Sequence, residues 1–372
     1  MERIKYNEIT GLHLELTTKC NAMCPMCNRN FKGKVRSNLK MAELTLEDCK
    51  KILNEQFLKS LKLISMCGVF GDPINNKDLF NILDYIYSIN DKIVINIYTN
   101  GSLYDTSWWK KLAEKLKNGR VIFGIDGLET VSEMHRCNTN FKKVIENAKA
   151  FISAGGRAQW DYIVFKHNEH QVEEAKKLSE KLGFYDFQIK KTSRFFKTLY
   201  ETDESLDSTI LDYGKHPVYD SKGNLKYYIE LPDNKNYRNS AEEDIFEKIN
   251  DNETFNKYLD NVLIDCQAVK TKGIFISALG EVFPCCTVYQ QVCYGSIFGV
   301  KDELELNEYK IYKKYDLSAF NHTIEGIVSG GFFEEIQDSF NKGDVLSGKC
   351  KSCSRACGKS LDIHGATHTK EV

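Results

Sequence analysis

The strongest constraint on how this chain folds is an alternation. From about residue 12 to 190, short apolar runs take turns with longer amphipathic stretches. Leu12-His13-Leu14-Glu15-Leu16 reads as a strand, and the run from Thr45 to Leu58 as a helix with Thr45 as its N-cap and Asp48 three residues on. Strands at 61–66, 92–98, 121–125, 158–165 and 187–190 are predicted in turn. The helices between them fall at 77–88, 106–117, 141–154 and 169–182, the last ending at Gly183. Six strand units separated by helices predict parallel strands joined by right-handed crossovers, in a barrel or an open sheet. Eight units would complete a barrel; six leave it partial.

Beyond residue 191 the rhythm breaks. The stretch 192–261 is polar, with a hairpin predicted around Asp220-Ser221-Lys222-Gly223-Asn224. A second hairpin is predicted from Ile274-Phe275-Ile276-Ser277 and Glu281-Val282-Phe283, and a helix over 332–341 precedes a cysteine-rich tail. The expected organisation is a partial barrel over 1–191, a connecting region over 192–261 and a smaller α+β domain over 262–372. At 372 residues and 42% hydrophobic content the chain has material for a large core, so disorder is excluded. Fifty-one basic against 52 acidic residues give a net charge of -1, so no general attraction to nucleic acid or anionic membrane is expected. No apolar run approaches a bilayer span and the first residues lack a signal core, which predicts a cytoplasmic protein.

Thirteen cysteines in a chain without a secretory signal are not expected to be a disulfide framework. Cys49, Cys67 and Cys293 read as packed thiols; most of the others are clustered. Cys20-Asn21-Ala22-Met23-Cys24-Pro25-Met26-Cys27 is a C-x3-C-x2-C array placed directly after the first strand, where α/β folds build their sites. Three thiolates leave one iron of a four-iron cluster open to an outside ligand. A structural zinc site would want four ligands, commonly in paired C-x2-C knuckles.

This array resembles the signature of the radical S-adenosylmethionine (SAM) superfamily. The resemblance covers residues 12 to about 190 and implies a partial (β/α)6 TIM-like barrel. It implies a [4Fe-4S] cluster on Cys20, Cys24 and Cys27 whose open iron is chelated by SAM. It also implies a 5′-deoxyadenosyl radical that abstracts a substrate hydrogen. Gly68-Val69-Phe70-Gly71-Asp72-Pro73 is similar to the family's Gly-Gly-Glu-Pro stretch, so Gly71 and Asp72 are expected at the SAM amino group. Asp72 stands where Glu is usual, one methylene shorter. Thr99-Asn100-Gly101 ends the third strand as in many members. Phe123-Gly124-Ile125-Asp126-Gly127 with His135-Arg136 looks like the Ser-Ile-Asp-Gly…His…Arg pattern of radical SAM maturases, with Gly124 in place of Ser. By that resemblance Asp126 is a cofactor contact and Arg136 binds the SAM carboxylate, which a guanidinium suits bidentately. Met26 stands where an aromatic residue packs near adenine.

The C-terminal half carries a second set. Cys266, then Gly280, then Cys285 after four residues, resembles the opening of the SPASM and twitch extensions. The tail Cys350-x2-Cys353-x3-Cys357 holds too few cysteines for two further clusters. The resemblance implies a twitch-like domain with one auxiliary [4Fe-4S] cluster on Cys266, Cys285, Cys350 and Cys353, with Cys357 in reserve. Cys286 is too close to Cys285 to ligate beside it. A zinc knuckle on the same four fits the spacing as well. Basic residues attend both sets: Arg29, Lys32, Lys34, Arg36 and Lys40 after the first array, and Lys349, Lys351, Arg355 and Lys359 around the last. They read as solvated cations or as tuners of cluster potential; for 29–40 an anionic substrate group is the alternative.

The reaction implied is oxidation, crosslinking or epimerisation of a peptide or protein residue, or dehydrogenation or epimerisation of a small molecule such as an aminosugar. An electron donor of the flavodoxin or ferredoxin kind is implied as partner. Cys137, following His135-Arg136, is the candidate hydrogen-donating thiol if it is exposed beside those cations; otherwise it reads as one more packed thiol. The first barrel strand begins almost at once, which weighs against a leader-reading domain in the same chain. A zinc-bearing interaction protein or an iron–sulfur electron carrier is the reading from another class.

Overall fold

A computed structural model describes residues 3–192, 194–195, 214–240, 243, 257–294 and 306–359. Six strands follow the predicted order: β1 (Gly11–Leu14), β4 (Leu63–Met66), β5 (Val94–Thr99), β6 (Gly119–Gly124), β7 (Ala158–Ile163) and β8 (Asp186–Lys190). They lie side by side and all parallel. Two short strands, β2 (Asn30–Phe31) and β3 (Lys34–Val35), form a separate hairpin behind the first cysteine array.

The helices between them are α1 (Leu46–Ile52), α2 (Glu55–Ser60), α3 (Leu79–Ile89), α4 (Thr106–Lys115), α5 (Thr130–His135), α6 (Phe141–Ser153) and α7 (Val172–Leu182). Thr45 and Asp48 cap α1 reciprocally, as their spacing predicts. The single helix expected over 45–58 is two. Asn54 accepts the Phe57 N–H and starts α2, because an Asn side chain serves a cap better than a helix interior.

The β9 (Lys215–Tyr219) and β10 (Leu225–Glu230) hairpin is antiparallel, with the predicted turn between them. The later hairpin, β11 (Gly273–Ile276) and β12 (Val282–Phe283), does not stand apart. β11 pairs parallel with β1, so the sheet runs β12-β11-β1-β4-β5-β6-β7-β8. The hairpin expected in the second domain thus covers the open edge of the barrel's first strand, an edge that would otherwise present unpaired N–H and C=O groups. Helices α8 (Gln267–Thr271), α9 (Cys286–Tyr294), α10 (Asn307–Tyr312), α11 (Ile324–Ser329), α12 (Phe332–Asp338) and α13 (Lys351–Cys357) pack around it. Among the described residues no helix is long and apolar enough to cross a membrane.

Alternation along the strands decides what lies where. Leu12, Leu14, Ile64, Met66, Ile95, Ile97, Val121, Phe123, Trp160 and Tyr162 are all at most 2% exposed and pack beneath the helices. Full burial of each such side chain contributes about 1.5–3 kcal/mol. The alternate residues, His13, Ser65, Asn96, Tyr98, Gly124 and Asp161, are partly exposed. They line the inner face of the curved sheet, which is thus more polar and less covered than the face beneath the helices.

Candidate active site

The first array sits where β1 ends, on a loop fixed from several sides. Met23 N–H donates to the Cys137 carbonyl (2.8 Å) and Asn30 Nδ2 to the Cys24 carbonyl (3.0 Å). Cys20 and Cys27 are partly exposed and Cys24 is buried. Burial raises the Cys20 thiol and, to about 12, the Cys24 thiol; the neighbouring array cysteines push the same way, while the Arg136 charge opposes the shift at Cys24. The three thiols thus feel one another across a common space. Binding to a metal would remove their protons outright.

The motif after β4 packs directly against this loop. A Cβ at Gly71 would overlap the Thr17 carbonyl oxygen, so only glycine permits the approach. Asp72 N–H donates to the Lys19 carbonyl (2.9 Å). The Asp72 side chain turns back into the protein. Its Oδ2 accepts from Thr99 Oγ1 (2.9 Å), Asn100 N (2.8 Å) and Asn100 Nδ2 (2.7 Å), and its Oδ1 from Ile74 N (3.2 Å). Burial still pushes this carboxyl up to about 6 against those donors. Asn100 Nδ2 also lies 3.0 Å from Asn21 Oδ1 and 3.8 Å from Cys20 Sγ. Asp72, Thr99 and Asn100, picked out separately in the sequence, are one network that ends on a cysteine of the array. Asn21 completes it and was not picked out.

A second network reaches Cys24. Asp126, fully buried, accepts from Ile163 N (2.8 Å) on Oδ1, and from His135 Nδ1 (2.7 Å) and Arg136 Nε (2.6 Å) on Oδ2. Burial alone would raise this acid; the Arg136 charge and the His135 bond outweigh it and hold it at about 2. Arg136 in turn bonds the Cys24 side chain. A Cβ at Gly124 would lie 2.5 Å from Arg136 Nη2, so the glycine standing where Ser is common makes room for the guanidinium. Asp126 therefore acts on the site through Arg136.

Met26 is buried in a small apolar cluster with Phe165, Phe195, Val218, Ile229 and Leu231 beneath the β9–β10 hairpin. The Arg194 guanidinium donates to its carbonyl, and His216 Nε2 lies 3.1 Å from the Pro25 carbonyl. Cys137 belongs to the same region. Of the two readings of its thiol the placement fits the packed one: it is partly buried, 3.5 Å from the Met134 carbonyl and 3.8 Å from Tyr227 Oη. Burial raises its thiol, and neither the Tyr227 bond nor the Lys226 charge reverses the shift. Arg29, a candidate for an anionic substrate, is buried and donates to the Thr18 carbonyl (3.2 Å) and Asn30 Oδ1 (3.3 Å). It braces the loop.

The C-terminal cysteines converge as well. Cys353 N–H faces Cys350 Sγ at 3.4 Å. Cys353 is held well above the ordinary thiol range by its bond to Cys350, by burial and by the nearness of Cys285 and Cys266. Cys357 feels Cys266 and Cys350, and Cys285 feels Cys357. A cavity of about 540 Å³ is lined by Cys266, Cys285, Cys286, Cys353 and Cys357, with His13 and Ser65 on its barrel side. The backbone ties the segments too: Asp265 N–H donates to the Cys357 carbonyl (2.7 Å) and Lys359 N–H to that of Leu263 (2.9 Å). Among the described residues no three His, Cys, Asp or Glu side chains meet closely enough to hold one metal ion. The thiols around the cavity include Cys286 and Cys357 but not the fully buried Cys350; their spread around it suits a cube that takes one ligand at each corner.

Glu15 is the functional-looking residue the sequence reading passed over. It is fully buried, accepts from Phe70 N (2.7 Å) on Oε1, and has no partner for Oε2. Burial pushes it up to about 7. Its signal was a carboxylate inside an otherwise apolar strand.

Residues 14–179 match the family model described as the Radical SAM superfamily. The match covers less than half of the chain, and the likeness to that superfamily is one of this stretch. The curated relatives include two proteins named "Probable GTP 3′,8-cyclase". That of Methanococcus maripaludis is 30% identical over 128 residues, 33% of this chain and 39% of the relative. That of Methanocaldococcus jannaschii is 31% identical over 153 residues, 39% of this chain and 46% of the relative. The chain thus spans less than half the length of these relatives. Among solved structures, Streptococcus suis SuiB superposes with TM-score 0.55 at 15% identity over 89% of this chain and 68% of its own. The anSMEcpe protein with bound AdoMet superposes with TM-score 0.54 at 15% identity over 96% and 92%. At these identities the likeness is one of fold.

Proposed function

We propose that Cys20, Cys24 and Cys27 hold a [4Fe-4S] cluster with one iron left for SAM, and that Cys266, Cys285, Cys350 and Cys353 hold a second, auxiliary [4Fe-4S] cluster in a twitch-like C-terminal unit over 262–372. When bound, the first cluster and SAM would supply hydrogen-abstracting radical chemistry. The observation that carries the first assignment is the pair of networks ending on the array: Asp72–Thr99–Asn100 on Cys20, and Asp126–Arg136 on Cys24.

The chain's own residues have distinct tasks in this reading. Asn100 and Asn21 orient the loop beside Cys20. Asp126 holds Arg136 as a permanent cation where a carboxylate of SAM would be received. Asp72 fixes the end of β5, which leaves the backbone around Gly71 to meet the amino group. Met26 and the β9–β10 hairpin exclude water from the far side of the loop. The favoured reaction is oxidation, crosslinking or epimerisation of a peptide or protein residue, with electrons from a flavodoxin- or ferredoxin-like donor. A small-molecule substrate is the second reading, favoured by the names of the curated relatives.

The test is SAM cleavage by anaerobically reconstituted, reduced protein. The chain should form 5′-deoxyadenosine, and Cys20→Ala/Cys24→Ala/Cys27→Ala together should not while keeping about half the iron. Undiminished 5′-deoxyadenosine from the triple variant removes the assignment.

A further inference from the structure

The inner face of the barrel holds a polar floor that neither network uses. The strand registers set His13 beside Ser65, Ser65 beside Asn96, and Asn96 beside Arg120. These four residues form one row across β1, β4, β5 and β6, all on the face opposite the buried Leu12, Ile64, Ile95 and Val121. One step nearer the mouth, Tyr98, Ile122 and Gln159 form the next row.

Two acids on this face, Asp161 and Asp186, are already engaged. Asp161 takes Gln159 Nε2 and lies 3.5 Å from Lys190 Nζ; Asp186 takes Gln188 Nε2 on both oxygens (2.9 and 3.0 Å). Arg120, partly exposed, has no acidic partner among the described residues, although an ion pair would be the ordinary fate of an arginine inside a barrel. Gln159 Oε1 is buried without a donor, with only 4% of the residue exposed. An unmet acceptor of this kind costs stability until something fills it. The floor therefore offers a planar cation, an amide and a hydroxyl in one row, and an acceptor one row up.

We propose that this row is a substrate subsite: Arg120, with Asn96 beside it and Ser65 one strand further along the row, receives an oxyanion of the substrate, carboxylate or phosphate, while Gln159 Oε1 accepts a hydrogen bond from a donor beside it. The subsite rests on the radical SAM reading, since it places the far end of a substrate whose reacting carbon faces the cysteine array. Guanidinium and oxyanion would pair bidentately, a geometry that lysine cannot reproduce.

Binding separates the two levels of the account. Equilibrium dialysis of the anaerobically reconstituted full chain would measure SAM, inorganic phosphate, GTP and a tetraglutamate peptide on wild type, Arg120→Gln and Arg120→Lys. At least one of the three anionic probes should saturate below about 10 mM and weaken tenfold or more in Arg120→Gln, with a smaller loss in Arg120→Lys. SAM should bind all three proteins equally. Preference for GTP or for the peptide would say which kind of molecule carries the oxyanion. Equal probe affinity in Arg120→Gln, or no saturable probe on a wild type that binds SAM, overturns the subsite alone. Loss of fold in both variants would show Arg120 to be structural and overturn it too. No SAM binding to wild type would instead overturn the reading beneath it.

Discussion

One oxygen of Asp126 holds both His135 and Arg136, and the consequences can be measured at that residue. Asp126→Asn leaves the Arg136 guanidinium short of its counter-charge, and breaking a buried pair in this way costs about 3–5 kcal/mol. Urea unfolding would read the loss. Because the folded carboxyl sits at about 2, its stabilisation is complete above the ordinary carboxylate range near pH 4 and disappears as pH falls toward 2. The variant should lack that acid limb; identical limbs would refute the pairing. Glu15 has the opposite sign. Held up at about 7 by burial, which the Phe70 N–H and the nearby His13 only partly offset, it favours the folded state while protonated, so stability should fall as pH rises from about 4.5 to 7. Glu15→Gln should flatten that slope and gain at most about 3 kcal/mol at pH 8. An unchanged slope would mean that the carboxyl is ionised at low cost.

At the scale of elements, the strands and helices of the barrel were legible because burial on one face imposes a period the sequence cannot hide. The α1–α2 break was less so: Asn54 and Phe57 look alike in a helix or at a cap until the turn is seen. The pairing of β11 with β1 was not legible, because nothing local in Ile274-Phe275-Ile276 says which edge it joins. The site was partly readable. Cys20, Cys24, Cys27, Thr99, Asn100 and Arg136 fall where strand ends place them. The turn of Asp72 away from the loop, the role of Asp126 behind Arg136 and the covered state of Cys137 all depend on contacts between distant segments. Gly71 tests the contact between two of these elements. In Gly71→Ala the new methyl would meet the Thr17 carbonyl and force the β4 loop away from the array. SAM affinity should drop at least tenfold with a smaller change in thermal midpoint. Full affinity would show that the two loops are not packed as described.

On the scale of the whole molecule, the C-terminal half is joined to the barrel twice, by the β11 edge pairing and by the cavity that brings five thiols against β1 and β4. Changing Cys350 and Cys353 together to Ala should lower soluble yield and remove the second iron–sulfur centre. 5′-Deoxyadenosine formation should survive in whatever remains folded. Cys357→Ala should be milder. If Cys357→Ala loses the second centre while Cys353→Ala keeps it, Cys357 is the fourth ligand.

The most direct measurement of the central claim is low-temperature electron paramagnetic resonance of the reduced, reconstituted chain with and without SAM. Signals from two [4Fe-4S] centres are expected, one of which shifts when SAM is added and is missing from the Cys20→Ala/Cys24→Ala/Cys27→Ala variant. A spectrum that SAM leaves untouched, in protein with its full complement of iron, would contradict an open iron on that loop.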